Sequence, residues 1–361
     1  MDCYDWNYDW EKTKTRLAAL WENELVDRAC IAIPVTDGEA YEAITTMSED
    51  LSQEELKMSY TDPAYISEHF REKMKHTRYM GDALPCIFPN FGTNGFIQYA
   101  GAVPFYRPDT IWYAPTLAEP DDSLITYHEP VFQEHMRIMR ELAALAGDAY
   151  FIAMPDHCGI LDGLAVMRGT QTLLYDMLEE PDFVKTAVKK LIDIQRKVIP
   201  GFYDAIYENN RSGITHAWMH LWSEKRIMQV QCDVSVMISP EYYKEFVLPE
   251  LEASTEWADS VVYHLDGQEQ IRHLDYILSV DAIRMIQWTP VAGQPPTTAF
   301  LPVLQRIQKA GKGLVLILEP WEVEKVMDQL SSRGLRIIVN DVHSEKEAEE
   351  LISLVERKTH C

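Results

Sequence analysis

The stretch Val261-Val262-Tyr263-His264-Leu265-Asp266-Gly267 decides the fold. An apolar, β-branched start runs into a His-x-Asp pair and a glycine. A buried parallel strand reads this way where it leaves the core and turns into a loop. Toward the C-terminus the same unit recurs, with strands expected at 283–288, 314–318 and 335–339. Helices are expected between and after them at 268–278, 298–310, 321–332 and 344–357. Toward the N-terminus, Ser239-Pro240 opens a helix to about 256, Ser before Pro being a good start signal. Before it come a strand at 214–219, helices at 131–146, 161–178 and 182–208, and a strand at 150–155. Residues 84–115 are rich in aromatics, Gly and Pro, which suits strands ending in structured loops. An apolar run at 30–35 is a further strand. Residues 1–28 read as an N-terminal helical extension, and the polar, acidic stretch 36–80 as a helical insertion.

Short β-branched runs alternating with amphipathic helices imply parallel strands joined by crossover helices. At least six such units follow residue 130, and two more fit before it. Eight units make a (β/α)8 TIM barrel, here one domain over 1–361. A doubly wound open sheet is the alternative. It loses its strongest support because neither GxGxxG nor GxxxxGK[ST] occurs.

The chain carries 33 basic and 57 acidic residues, a net charge of −24. Nucleic acid needs a basic face, so it is excluded as a partner. The six cysteines show no CxxC and no paired spacing, which fits a reducing, cytoplasmic setting. The acidic beginning is not that of a signal peptide. No apolar run approaches the roughly 20 residues that span a bilayer, so no membrane is expected.

In a barrel, chemistry sits at the C-terminal ends of the strands. The first polar residues after each apolar run are therefore the candidates: Asp156-His157-Cys158, His220, His264-Leu265-Asp266, Gln287-Trp288, Glu319 and Asn340-Asp341. Asp233, Asp156 and Gln287 are the expected catalytic groups. His264, Asp266 and Cys232 are the expected metal ligands, for zinc or another divalent ion. Each has a plainer reading as well. His264 could bond a loop backbone, Asp266 could cap the helix near 268, and Cys232 could be an inert buried thiol. Asn90, Trp112, Trp218, Tyr263 and Trp288 are the expected substrate contacts, although aromatics at strand ends also serve packing. An aromatic wall would hold a methylated ammonium by cation–π attraction, or an aromatic methyl ether by stacking. The acidic composition favours the cation.

Two segments carry a family resemblance. Gln231-Cys232-Asp233, followed by Ser239-Pro240-Glu241-Tyr242-Tyr243 and ending near Leu248-Pro249, resembles the uroporphyrinogen decarboxylase superfamily segment from a strand-end Asp through Ser-Pro into a helix. Tyr263-His264-Leu265-Asp266-Gly267 is similar to the His-x-Cys-Gly segment of its corrinoid-dependent methyltransferase branch. The helix opened by Ser344-Glu345 fits the last helix of the superfamily. The resemblance covers 150–361 well and the first third loosely. It implies a zinc site of one His and two Cys. Here Asp266 stands at the first Cys position, and 340–342 holds no Cys where the second would fall. Thiol activation is then a poorer fit than methyl abstraction from a substrate. The decarboxylase itself is further off, because its Arg-Gln-Ala-Gly-Arg stretch is absent.

The leading expectation is a methyltransferase component. It moves a methyl group between a small methylated substrate and a corrinoid (cobalamin) carried by a partner protein. A decarboxylase or lyase acting on a small non-porphyrin molecule, and a non-catalytic binding barrel, stand as alternatives. A homodimer is among the assemblies this reading allows.

Overall fold

A computed structural model describes residues 9–38, 51–156 and 159–361. Thirteen strands are found among them: β1 Cys30–Thr36, β2 Thr77–Gly81, β3 Cys86–Ile87, β4 Pro104–Tyr106, β5 Ile111–Tyr113, β6 Phe151–Ile152, β7 Ile214–His216, β8 Leu221–Ser223, β9 Ile227–Val230, β10 Ser260–Asp266, β11 Ile283–Thr289, β12 Gly313–Leu318 and β13 Leu335–Val339. Seven form one sheet in the order β2-β1-β13-β12-β11-β10-β9, parallel throughout except for β2. Helices alternate with the strands, and their apolar faces pack on the sheet. Helix Leu301–Lys309 does so on β12 through Leu301, Leu304 and Ile307.

The fold is thus α/β with a mostly parallel central sheet. β3 and β6 pair in parallel as a separate two-residue ladder. Proline explains their brevity. Pro85 precedes β3, Pro89 closely follows it and Pro155 closely follows β6, and each lacks the N–H a ladder needs. Single backbone bonds continue past the ladders, from Asp82 N to Ile31 O at 2.6 Å and from Met154 N to Thr215 O at 3.2 Å.

Several expectations are corrected. The first helix is Trp10–Trp21 and stops there, with Asn23 in the left-handed region. In the expected insertion, 39–50 lie outside the described residues, and helices Gln53–Thr61 and Pro63–Lys75 follow. Its last residues are not insertion at all. They are β2, the antiparallel edge strand on β1. The expected helix 161–178 is two helices, Ile160–Arg168 and Thr170–Glu179, divided at Gly169 with φ 86°. The expected strand 214–219 is instead the hairpin β7–β8.

That hairpin matters for everything above it. Its turn residue His220 has φ 46°, and its Nδ1 accepts from Leu84 N at 2.9 Å. Burial, aided by the nearby Arg336 charge, pushes His220 down to about 3, so the ring stays a neutral acceptor. Buried Arg336 on β13 donates from one nitrogen to His220 O at 2.6 Å and Asp82 O at 2.8 Å. The hairpin turn is therefore tied to the last strand and to the segment before β3. Below it, Asp82 is fully buried. Its carboxylate accepts from Arg28 at 2.7 Å, Arg16 at 3.0 Å, Ile31 N at 3.1 Å and Thr13 Oγ1 at 3.2 Å. These residues lie at the N-terminal ends of β1 and β13 and form a charged floor.

Candidate active site

Side chains alternate across a strand. On β10, Val262, His264 and Asp266 share one face, and Val261, Tyr263 and Leu265 the other. In register, His264 lies beside Gln287 of β11 and Asp266 beside Thr289. His264 Nδ1 donates to Gln287 Oε1, and Gln287 Nε2 donates to Thr289 Oγ1. The Gln287 carbonyl thus fixes the tautomer of His264 and leaves Nε2 as the bare acceptor. A second amide chain climbs the neighbouring strand. Gln229 Nε2 donates to Gln231 Oε1 at 2.6 Å, and Gln231 Nε2 to Asp233 Oδ2 at 2.8 Å. The other oxygen, Oδ1 of Asp233, is buried, and the Gln270 amide is the polar group beside it. Burial raises the Asp233 carboxyl above its ordinary value, with Asp266 adding to the rise and the His264 charge opposing it. Trp218, on the turn of the β7–β8 hairpin, meets His264 edge-on, with ring centroids 6.3 Å apart. It also meets Phe88, just past β3, at 5.2 Å.

A second layer holds Asp233 in place. Asp162, in helix Ile160–Arg168, accepts from Asp233 N at 2.9 Å and Val234 N at 2.8 Å. Glu250 accepts from Ile160 N at 2.7 Å and Leu161 N at 3.0 Å, at the start of that helix. Burial, with Asp162 nearby, pushes Glu250 up to about 8.

The structure divides the expected site residues. His264, Asp266, Asp233, Gln287 and Trp218 come together. Tyr263 does not join them. It is fully buried on the opposite face, receiving a hydrogen bond from the Tyr243 hydroxyl at 3.2 Å and donating to Gln270 Oε1 at 3.3 Å. Trp288 pairs with Leu265 on that same outer face and packs against Phe300 at 4.7 Å. Cys232 is fully buried between Gln231 and Asp233 in sequence, off their shared face. Burial drives its thiol well above the usual range, so it stays protonated. Asn90 is an exposed turn residue, its Oδ1 accepting from Gly92 N at 2.9 Å. Trp112 stands 63% exposed on the β4–β5 hairpin, opposite Phe105. Asp156 is half-buried after β6, and its neighbours His157 and Cys158 lie outside the described residues.

Among the described residues, no group of three or more His, Cys, Asp or Glu side chains converges as a metal ion requires. The divalent ion expected at His264, Asp266 and Cys232 therefore does not fit this donor set. Cys232 is on the wrong face, and its thiol is neutral.

A cavity of about 510 Å³ opens at the C-terminal ends of β11, β12 and β13, with Thr289, Glu319, Trp321 and Asp341 in its wall. Thr289 links it to the His264–Gln287 pair. Gln229, Gln231, Asp162, Glu250 and Thr289 are missing from the sequence-based site. The first two had a signal: Gln229, Gln231 and Asp233 recur at period two inside an otherwise apolar run, so they share one polar face. No helix among the described residues is long and apolar enough to cross a membrane.

No protein-family model matches the chain, and no curated protein matches it by sequence. Among solved structures, the chain is similar to a methyltransferase from Methanosarcina mazei. The TM-score is 0.56 at 11% identity, over 96% of this chain and 98% of the other. At that identity the likeness is one of fold.

Proposed function

We propose that the chain is an enzyme that moves a methyl group between a small methylated substrate and a corrinoid borne by a partner protein, on strands arranged as a (β/α)8 barrel. The observation that carries this reading is His264, held at Nδ1 by Gln287, with the Asp233 carboxyl and the Trp218 ring as its neighbours at the strand ends. The end-to-end likeness in fold to a methyltransferase supports it. So do the two sequence segments that resemble the corrinoid-dependent branch. The corrinoid supplies the methyl acceptor.

The chain's own residues orient the substrate and handle the proton. Trp218 and Phe88 form an apolar wall beside His264. The His264 Nε2 takes or returns a proton at the heteroatom that loses the methyl group, and Gln287 holds the ring in position throughout. Exposed Val291, Trp321 and Met237 follow β11, β12 and β9, and give the partner an apolar rim to cover. Decarboxylation of an acid is less well supported, because no Lys or Arg among the described residues lines the cavity at the strand ends.

The test is methyl transfer to added Co(I) corrinoid. His264→Ala is expected to lower the rate about 10²–10⁴-fold, the usual worth of a general acid or base. A His264→Ala enzyme that keeps the full rate removes His264 from the reaction.

A further inference from the structure

The cavity at the ends of β11, β12 and β13 has a one-sided chemistry. Among the described residues, its wall contains no Lys, Arg or His. It contains the carboxylates of Glu319 and Asp341, both exposed at strand ends, and neither joins an ion pair with another described residue. A third carboxylate, Glu322, is buried and spoken for, accepting from Thr298 N at 2.9 Å and Glu319 N at 3.2 Å. Thr297 makes the site more than an acidic cluster. It is fully buried, it lines the cavity, and its hydroxyl has no hydrogen-bond partner among the described residues. Trp321 presents a ring that is 64% exposed. The volume of about 510 Å³ suits a small ligand.

Unpaired carboxylates at the mouth of a cleft attract a cation and repel an anion, the more so on a chain of net charge −24. An indole face adds attraction for a quaternary ammonium, which has no N–H to satisfy and needs no hydrogen-bond donor from the wall. An aromatic carboxylate bearing a methyl ether would find no positive partner here.

We propose that this cavity seats the substrate and that it takes a methylated ammonium cation, with Glu319, Asp341 and Trp321 setting the preference. The assignment rests on the methyl-transfer reading for its place in a reaction, but not for the binding itself. Asp341 has φ 57°, a conformation that Asn adopts at least as readily as Asp, so Asp341→Asn removes the charge without straining the backbone.

Isothermal calorimetry on the intact protein tests it with three probes: choline, its uncharged isostere 3,3-dimethyl-1-butanol, and 4-methoxybenzoate. Choline is expected to bind at least about 10-fold more tightly than the isostere, and methoxybenzoate to give no heat. Asp341→Asn and Trp321→Leu are each expected to weaken choline about 3- to 10-fold while the melting temperature holds. Equal binding of choline and the isostere, tighter binding of methoxybenzoate, or unchanged affinity in both variants overturns the proposal. Choline binding without methyl transfer to Co(I) corrinoid would sink the enzymatic reading and leave the cation site standing. Methyl transfer from methoxybenzoate with no choline binding would do the reverse.

Discussion

At the N-terminal ends of the strands, buried Asp82 meets Arg16, Arg28 and a backbone N–H within 3.1 Å, and Arg336 closes over it from β13. At the C-terminal ends, Asp233 rests only on the neutral amides of Gln231 and Gln270, while Glu319 and Asp341 face a cavity with no Lys, Arg or His among the described residues of its wall. Both ends hold acids of the same kinds on the same sheet. The floor sets its buried carboxylate against three guanidinium groups and so fixes the structure. The mouth leaves acceptors open and so has something to offer a ligand. A buried charge is tolerated where it is paired, and an unpaired one is kept where another molecule completes it.

The sharpest way to break this contrast is at the floor. Asp82→Ala leaves buried guanidinium groups facing one another, and should cost about 3–5 kcal/mol or prevent folding. Urea denaturation checks it, and a near-neutral result would remove the structural role. Next in size is the layer behind the mouth. Glu250→Ala strips acceptors from Ile160 N and Leu161 N and should cost about 2–4 kcal/mol by the same measurement. Its titration adds a pH signature. Glu250 keeps its proton up to about 8 when folded, whereas the unfolded chain releases it near its ordinary value of about 4.5. The folded state binds the extra proton between those values, so its stability falls as pH rises from 5 to 8. Glu250→Gln should flatten that slope. At the mouth itself, Asp233→Asn should change stability by less than about 1 kcal/mol, and any change should favour the variant, since the carboxylate's burial is a cost. A large loss would mean that Asp233 belongs with the floor. The smallest effect is at Cys232. Its neutral, buried thiol should resist a thiol reagent in the native protein, while exposed Cys361 reacts at once.

How much of this was legible before the structure depended on the range of the interactions. β10 could be read from seven consecutive residues, and His264 and Asp266 were correctly placed at its end. Tyr263, Trp288 and Cys232 stand apart from the His264 cluster for one cause. Each neighbours a member of that cluster in sequence, and alternation sends it to the opposite face. A strict period-two reading separates His264 from Tyr263 and Gln287 from Trp288. It would also have picked out Gln229 and Gln231. The floor left no such trace, because Asp82 finds Arg28 and Arg16 at separations of 54 and 66 residues. The hairpin β7–β8 was read as one strand because Ile214 to Met219 is apolar enough for either, and the turn rests on left-handed His220, which carries no glycine signal.

Trp218 owes its place beside His264 to that hairpin, and the hairpin is secured from far away. Trp21 Nε1 donates to Trp222 O across 201 residues, and Arg336 to His220 O across 116. During synthesis the emerging polypeptide can form β10 and its neighbouring helices well before residue 336 leaves the ribosome. The wall of the site cannot settle until then. Assembly of the binding mouth thus waits on residue 336 rather than on β10 and its neighbouring helices, a slow route for a topology so dependent on distant pairings, and a nascent chain that has not reached that residue would have no formed mouth to engage a ligand.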